Sequence, residues 1–148
     1  LCAALDAGEE LPVDLRGQTV FYAGPTPTPP GKACGAIGPT TSMRMDAFTP
    51  RLLRYGVNAM IGKGERGEAV RAAIMETGAV YFAAIGGCAA YMAACVEALE
   101  VVAYDALGTE SIKRLTVRDL PLTVALDAQG GDAYAMGAER YRELCQNP

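Results

Sequence analysis

The run from Val57 to Leu99 constrains the fold most strongly. It reads as strand, glycine loop, helix, strand, glycine loop, helix. Val57–Ile61 (VNAMI) has the composition of a buried strand, and Gly62–Gly67 (GKGERG) that of a loop. Glu68–Thr77 carries Val70, Ala73 and Ile74 on one helical face and is closed by Gly78. Ala79–Ile85 (AVYFAAI) is almost wholly apolar, as expected of a strand covered on both sheet faces. Gly86-Gly87 then leads into a helix predicted over Ala89–Leu99. Two successive β-loop-α units place a parallel element in the middle of the chain.

The flanks are richer in strand. Thr19–Ala23 (TVFYA) has strong β-propensity, and Ala33–Gly38 reads as a short strand. Between them Gly24–Lys32 holds four prolines in nine residues, which excludes a helix and an interior strand and predicts a surface loop. Met45, Phe48, Leu52 and Leu53 recur at helical spacing, with Gly56 as the stop and Pro50 expected to kink or restart the helix after Thr49. Val101–Ala106, Ser111–Val117 and Leu122–Asp127 read as three further strands, and Ala138–Leu144 as a short amphipathic tail. The expectation is a mixed α/β domain spanning residues 1–148.

Composition narrows the function. Hydrophobic residues make up 51% and charged residues 20% of the chain, a balance that supports a packed core. A formal net charge of -4 argues against nucleic acid or an anionic membrane as partner. There is no histidine, so a Ser-His-Asp triad, a Cys-His dyad or an HExxH zinc site cannot be built from these residues. The cysteines, Cys2, Cys34, Cys88, Cys95 and Cys145, are odd in number and lack CxxC spacing. A disulfide scaffold and a closed metal site are not expected, and the thiols read as reduced and cytoplasmic.

Three constellations could carry chemistry. Gly62-Lys63-Gly64-Glu65-Arg66-Gly67 satisfies GxGxxG between a strand and a helix. A dinucleotide site would need an acidic residue at the end of the next strand, where Gly86-Gly87-Cys88 stands instead. What remains is Lys63 at the mouth of a β-loop-α unit, placed either to hold an anion or simply to be solvated. In Gly38–Asp46 (GPTTSMRMD), Thr40, Thr41 and Ser42 would ordinarily cap a helix. Arg44 falls in the first turn of that expected helix, where the dipole disfavours a cation, so a carboxylate ligand is the alternative reading. Gly86-Gly87 permits either tight strand-to-helix packing or a backbone wall beside a ligand. Lys63 and Gly86-Gly87 both follow strands whose carboxyl ends are where α/β sheets gather ligands, so the three segments could converge on one anion site.

The segments GPTTSMRMD (Gly38–Asp46), MIGKGERG (Met60–Gly67) and AAIGGCAAY (Ala83–Tyr91) together resemble the β-type, C-terminal domain of iron–sulfur hydro-lyases, the class I fumarases and L(+)-tartrate dehydratases. Glu10–Lys32, Val101–Ile112 and Leu120–Gly131 fit the same family. The resemblance implies a swivelling three-layer β/β/α domain with a mixed sheet. It implies an α-type partner domain or subunit that carries a [4Fe-4S] cluster with an open iron position, and none of the cysteines here as cluster ligands. The reaction implied is reversible dehydration of a 2-hydroxy dicarboxylate, as in (S)-malate to fumarate in the tricarboxylic acid cycle. Thr40 would be the catalytic base, Lys63 would bind and polarise the substrate, Arg44 would clamp a carboxylate, and Thr41 would be a second contact. A homo- or hetero-oligomer is expected. The family's upstream Arg-Asp-x-x-His segment has no counterpart here, so a chain truncated at its N-terminal end is expected. Fumarase is the favoured reading, with a tartrate dehydratase β-subunit or a non-catalytic dicarboxylate-binding module as alternatives.

Overall fold

The computed structural model describes residues 1–146. Its centre is a four-stranded mixed sheet in the order β1 (Thr19–Phe21), β2 (Ala59–Gly62), β3 (Val80–Ala83), β6 (Thr123–Leu126). β1, β2 and β3 run parallel and β6 is antiparallel to β3. The register pairs Val20 with Met60 and Met60 with Tyr81. Alternate residues therefore leave the sheet in opposite directions.

One face is covered by helices. Val20, Met60 and Tyr81 pack with Leu52 and Leu53 of α2 (Thr49–Tyr55) and with Val70, Ala73 and Ile74 of α3 (Glu68–Thr77). The other face is covered by a hairpin. Phe21, Ile61 and Phe82 pack with Val96 and Leu99 of β4 (Val96–Ala103), Leu115 of β5 (Ile112–Val117) and Met92 of α4 (Ala89–Ala94). Helices, mixed sheet and two-stranded sheet form the three layers expected of the α/β class. A short α1 (Cys2–Asp6) and a terminal α5 (Ala133–Gln146) flank them.

The β-loop-α expectation holds closely for α3, which spans Glu68–Thr77 and ends on Gly78 in the left-handed region at φ 73°. Four expectations fail. The helix predicted over Ala89–Leu99 stops at Ala94, and Val96–Ala103 is a strand paired antiparallel with β5. Glu97, Ala98 and Leu99 are good helix formers, but pairing and burial of Val96 override that local preference. The strand expected at Val101–Ala106 is accordingly only the end of β4, and Asp105–Glu110 forms 3-10 turns. Ala33–Gly38 is not a strand. It folds against the proline loop so tightly that a Cβ on Gly35 would lie 2.0 Å from the Thr26 carbonyl oxygen. Finally, the tail helix is longer than the apolar pattern suggested, because Asp132 Oδ1 accepts the N–H groups of Tyr134 and Ala135 and starts it at Ala133.

The layer argument is testable on one helix. Ile74 is 1% exposed and Met75, its neighbour, 53%. Ile74→Ala should lower unfolding free energy by about 2–5 kcal/mol in urea titration. Met75→Ala should change it by less than about 0.5 kcal/mol.

Candidate functional site

The parallel strands end on one edge, and the segment Pro39–Ser42 is stitched across that edge. Thr40 donates its N–H to the Tyr22 carbonyl just beyond β1 at 2.8 Å. Lys63 N–H, just beyond β2, bonds the Thr40 carbonyl at 3.2 Å, and Ser42 N–H bonds the Lys63 carbonyl at 3.0 Å. Thr41 and Lys63 thus form an isolated parallel bridge. The Lys63 side chain runs over the glycines that follow β3, its Nζ 3.8 Å from the point a Gly86 Cβ would occupy. The main chain therefore brings Thr40, Thr41, Lys63 and Gly86 together at the carboxyl ends of the parallel strands. Arg44 is one turn further on, in a 3-10 turn over Ser42–Met45.

The threonines do not cap. Thr41 precedes the 3-10 turn but makes no side-chain cap bond, and Thr40 Oγ1 donates to the Tyr22 carbonyl at 3.0 Å. That bond fixes the hydroxyl proton inward and leaves the oxygen lone pairs free to accept. The expected unfavourable dipole at Arg44 is absent as well. The turn is four residues long and Arg44 stands in its last turn, while α2 begins separately at Thr49 with Pro50 in its first turn.

Among the described residues Arg44 and Lys63 are unpaired cations, as is Lys32 in the proline loop, and they differ from it in standing at or one turn beyond the ends of the parallel strands. Every other arginine up to Arg118 has a carboxylate partner: Arg16 with Asp14, Arg51 with Asp6, Arg54 with Glu76, Arg66 with Asp46, Arg71 with Asp132, Arg114 with Glu100 and Arg118 with Glu97. Among the described residues neither Arg44 nor Lys63 has a side-chain partner, and both are exposed. In a chain of net charge -4, two adjacent segments each present an unpaired cation. On the segments that carry them and the Gly86-Gly87 turn, Met43, Phe48, Ile85 and Tyr91 are each about half exposed or more, at 53%, 48%, 64% and 60%. Well-formed cavities lie elsewhere, one of about 280 Å³ between the hairpin and β1 and one of about 660 Å³ beside α5.

Beneath this surface lies a polar cluster that sequence reasoning missed. Arg66 is 2% exposed. Its Nε donates to Asp46 Oδ1 at 2.7 Å, its Nη2 to Thr49 Oγ1 at 2.8 Å, and its Nη1 lies 3.6 Å from Met60 Sδ. The Tyr22 and Tyr81 rings lie 5.3 and 5.0 Å from the guanidinium carbon. Asp46 Oδ2 accepts the Gly67 N–H at 2.6 Å. The Tyr81 hydroxyl has Ser42 Oγ at 3.1 Å and the Gly64 carbonyl at 2.9 Å as acceptors within reach of its one proton. Burial pushes the Tyr81 phenol up, so it is a hydrogen-bond donor at neutral pH. One sequence signal was available: Arg66 and Asp46 both sit inside the motifs that carried the family resemblance, with no role assigned to either.

The sequence comparisons decide the lineage. Residues 1–137 match the Fumarase C-terminus family. The chain belongs to that family. "Fumarate hydratase class I, anaerobic" of Escherichia coli (strain K12) is 39% identical over 132 residues, covering 88% of this chain and 24% of that protein. "Fumarate hydratase 2" of Leishmania major is 35% identical over 133 residues, covering 88% and 23%. "Putative L(+)-tartrate dehydratase subunit beta" of Methanocaldococcus jannaschii is 35% identical over 136 residues, covering 88% and 70%. This Fumarase C-terminus chain thus spans about a quarter of the length of the fumarate hydratases it matches.

The residues of this fumarase C-terminal chain do not fit an iron–sulfur cluster. No three His, Cys, Asp or Glu side chains among the described residues gather as a metal site. Cys34 and Cys95 are buried and directed at main-chain carbonyls, Cys34 at Gly35 and Cys95 at Tyr91 and Asp119. Burial also pushes the Cys34 thiol up, away from the thiolate a metal needs. No helix among the described residues is long and apolar enough to cross a membrane.

Close approach at Gly62 gives a test of this architecture. A Cβ there would sit 1.8 Å from Ser42 Oγ, which Tyr81 holds in place. Gly62→Ala should destabilise the chain by about 1–3 kcal/mol in chemical denaturation. The alkaline limb is a second one. Because the folded Tyr81 pKa lies above its ordinary value of 10.0, its contribution is fully present below pH 10. Stability should fall as pH rises from there through the folded value, and Tyr81→Phe should flatten that part of the pH–stability curve.

Proposed function

We propose that this chain is the C-terminal-type, β-type part of a class I fumarate hydratase, which interconverts (S)-malate and fumarate. The observation that carries the reading is the pair of unpaired, exposed cations, Arg44 and Lys63, beside Thr40 in a member of the Fumarase C-terminus family. A 2-hydroxy dicarboxylate brings two negative charges to such a surface. Arg44 offers a planar fork that binds a carboxylate through two parallel bonds. Lys63 offers a compact charge for the other end, Thr41 a further contact, and Thr40 the base that takes the proton next to a carboxylate.

A threonine hydroxyl is a weak base. In this reading Thr40 loses its own hydroxyl proton to solvent before it takes the substrate's, and the cation of Lys63, whose main chain is bonded to that of Thr40, favours that alkoxide and the negative charge then left on the substrate. The [4Fe-4S] cluster belongs to an α-type partner domain or subunit, which docks over the exposed Met43, Phe48, Ile85 and Tyr91 and completes the site. Departure of the hydroxyl is the partner's chemistry; this chain binds, orients and takes the proton. The free thiols support a reducing, cytoplasmic setting. A tartrate dehydratase β-subunit is the second reading, supported by 35% identity to a relative so named.

In the full-length protein or the reconstituted complex, Lys63→Met and Arg44→Ala should each lower kcat/KM about 100-fold or more. Melting temperature should stay within about 2 °C, because both side chains are exposed and unpaired. Near-normal kcat/KM in either variant removes that residue from the site. Assay with malate, fumarate and L(+)-tartrate decides between the readings, and the isolated chain should turn over none of them.

A further inference from the structure

We propose that Arg66, with Asp46 as its counter-ion, is a positioning residue that fixes the turn carrying Arg44 and so sets affinity for the dicarboxylate. What that turn binds rests on the function proposed above; that Arg66 holds the turn does not.

Arg66 cannot touch a ligand, since its side chain is 0% exposed. Its polar contacts instead converge on the segment around Arg44. Asp46 follows the 3-10 turn directly, and one of its oxygens is taken by Arg66 and the other by the Gly67 N–H. Thr49 accepts from Arg66 and donates in turn to the Met45 carbonyl at 2.9 Å. The turn is therefore anchored on its C-terminal side at Met45, Asp46 and Thr49. On its N-terminal side Ser42 is held by the Lys63 carbonyl and by the Tyr81 hydroxyl. Arg44 projects from a short span fixed at both ends, while its own side chain has no partner.

Stability alone does not call for such a device, because well-packed apolar residues can replace a buried ion pair without loss. A guanidinium does what they cannot. Its rigid fork joins the Asp46, Thr49 and Met60 side chains in one plane and presents two flat faces to tyrosine rings. A lysine would keep the charge and lose the plane.

The test uses the full-length protein with Arg66→Lys and, independently, Thr49→Val, which keeps the side-chain shape and removes the shared hydroxyl. KM for malate should rise about tenfold in Arg66→Lys and several-fold in Thr49→Val, with kcat within about threefold of the parent. Amide hydrogen exchange should quicken at residues 42–46 and stay unchanged within 70–77 of α3. Unchanged KM in both variants overturns the proposal, as does exchange that quickens throughout α3, which marks a merely structural role. If Arg66→Lys fails to fold, Thr49→Val decides on the same criteria. If the parent turns over no dicarboxylate, the proposed function fails and exchange alone decides. Quickening confined to 42–46 supports the clamp, and unchanged exchange there overturns it.

Discussion

A guanidinium without water must find its counter-charge and its hydrogen bonds inside the fold, and here the fold is arranged around that demand. Arg66 follows β2 in sequence, Asp46 lies between the 3-10 turn and α2, Thr49 starts α2, Tyr22 follows β1 and Tyr81 lies within β3. Satisfying one cation therefore fixes the mutual placement of elements that are distant in sequence. Removing one member of such a buried pair costs about 3–5 kcal/mol, because the other is left charged and unpaired. The side chains that meet Arg66 lie below the loops that end on the exposed surface, so rigidity is concentrated where the exposed cations are carried.

This interior and the surface above it obey opposite electrostatic rules. Below, charge is matched: Arg66 meets Asp46, hydroxyls are shared between Thr49, Tyr22 and the Met45 carbonyl, and Tyr81 stays protonated. Above, Arg44 and Lys63 are unmatched although the chain has carboxylates in excess. Water solvates exposed cations adequately, so leaving them unpaired costs little in the isolated chain. The same cations become strong binders once water is displaced, because their attraction for a dicarboxylate grows as the local dielectric falls. In the proposed function that displacement comes from the partner docking over the half-exposed apolar residues.

Much of the fold is legible in the sequence, and the reasons differ by element. α3 is legible because periodicity, a glycine stop and flanking strands all agree over Glu68–Thr77. The inner strands β2 and β3 are legible because cover on both faces forces apolar runs. The first half of β4 is not, because Val96–Leu99 has a helix-compatible composition and becomes a strand only through Leu115 and its neighbours on β5, whereas Val101–Ala103 already reads as strand. The site divides in the same way. Thr40, Thr41, Arg44 and Lys63 are visible as motif residues near turns. The Arg66 cluster is invisible locally, since an arginine in a glycine loop ordinarily reads as solvated. Only the three-dimensional approach of Asp46, twenty residues earlier, shows it to be interior.

That division bears on how the motifs should be understood. In GPTTSMRMD and GKGERG, residues that face outward alternate with residues that face inward to hold them: Thr40, Thr41 and Arg44 against Ser42 and Asp46, and Lys63 against Gly62 and Arg66. Each motif contributes one unpaired cation to the surface and one member of the buried ion pair beneath it. The two motifs are thus halves of a single device, joined once by the main-chain bonds between Thr40, Ser42 and Lys63 and again by the Arg66–Asp46 pair. A change that preserved the exposed residues but loosened either joint would leave the same chemistry in the wrong place. For a site that, in the proposed function, orients two carboxylates at once, placement within a fraction of an ångström counts as much as residue identity.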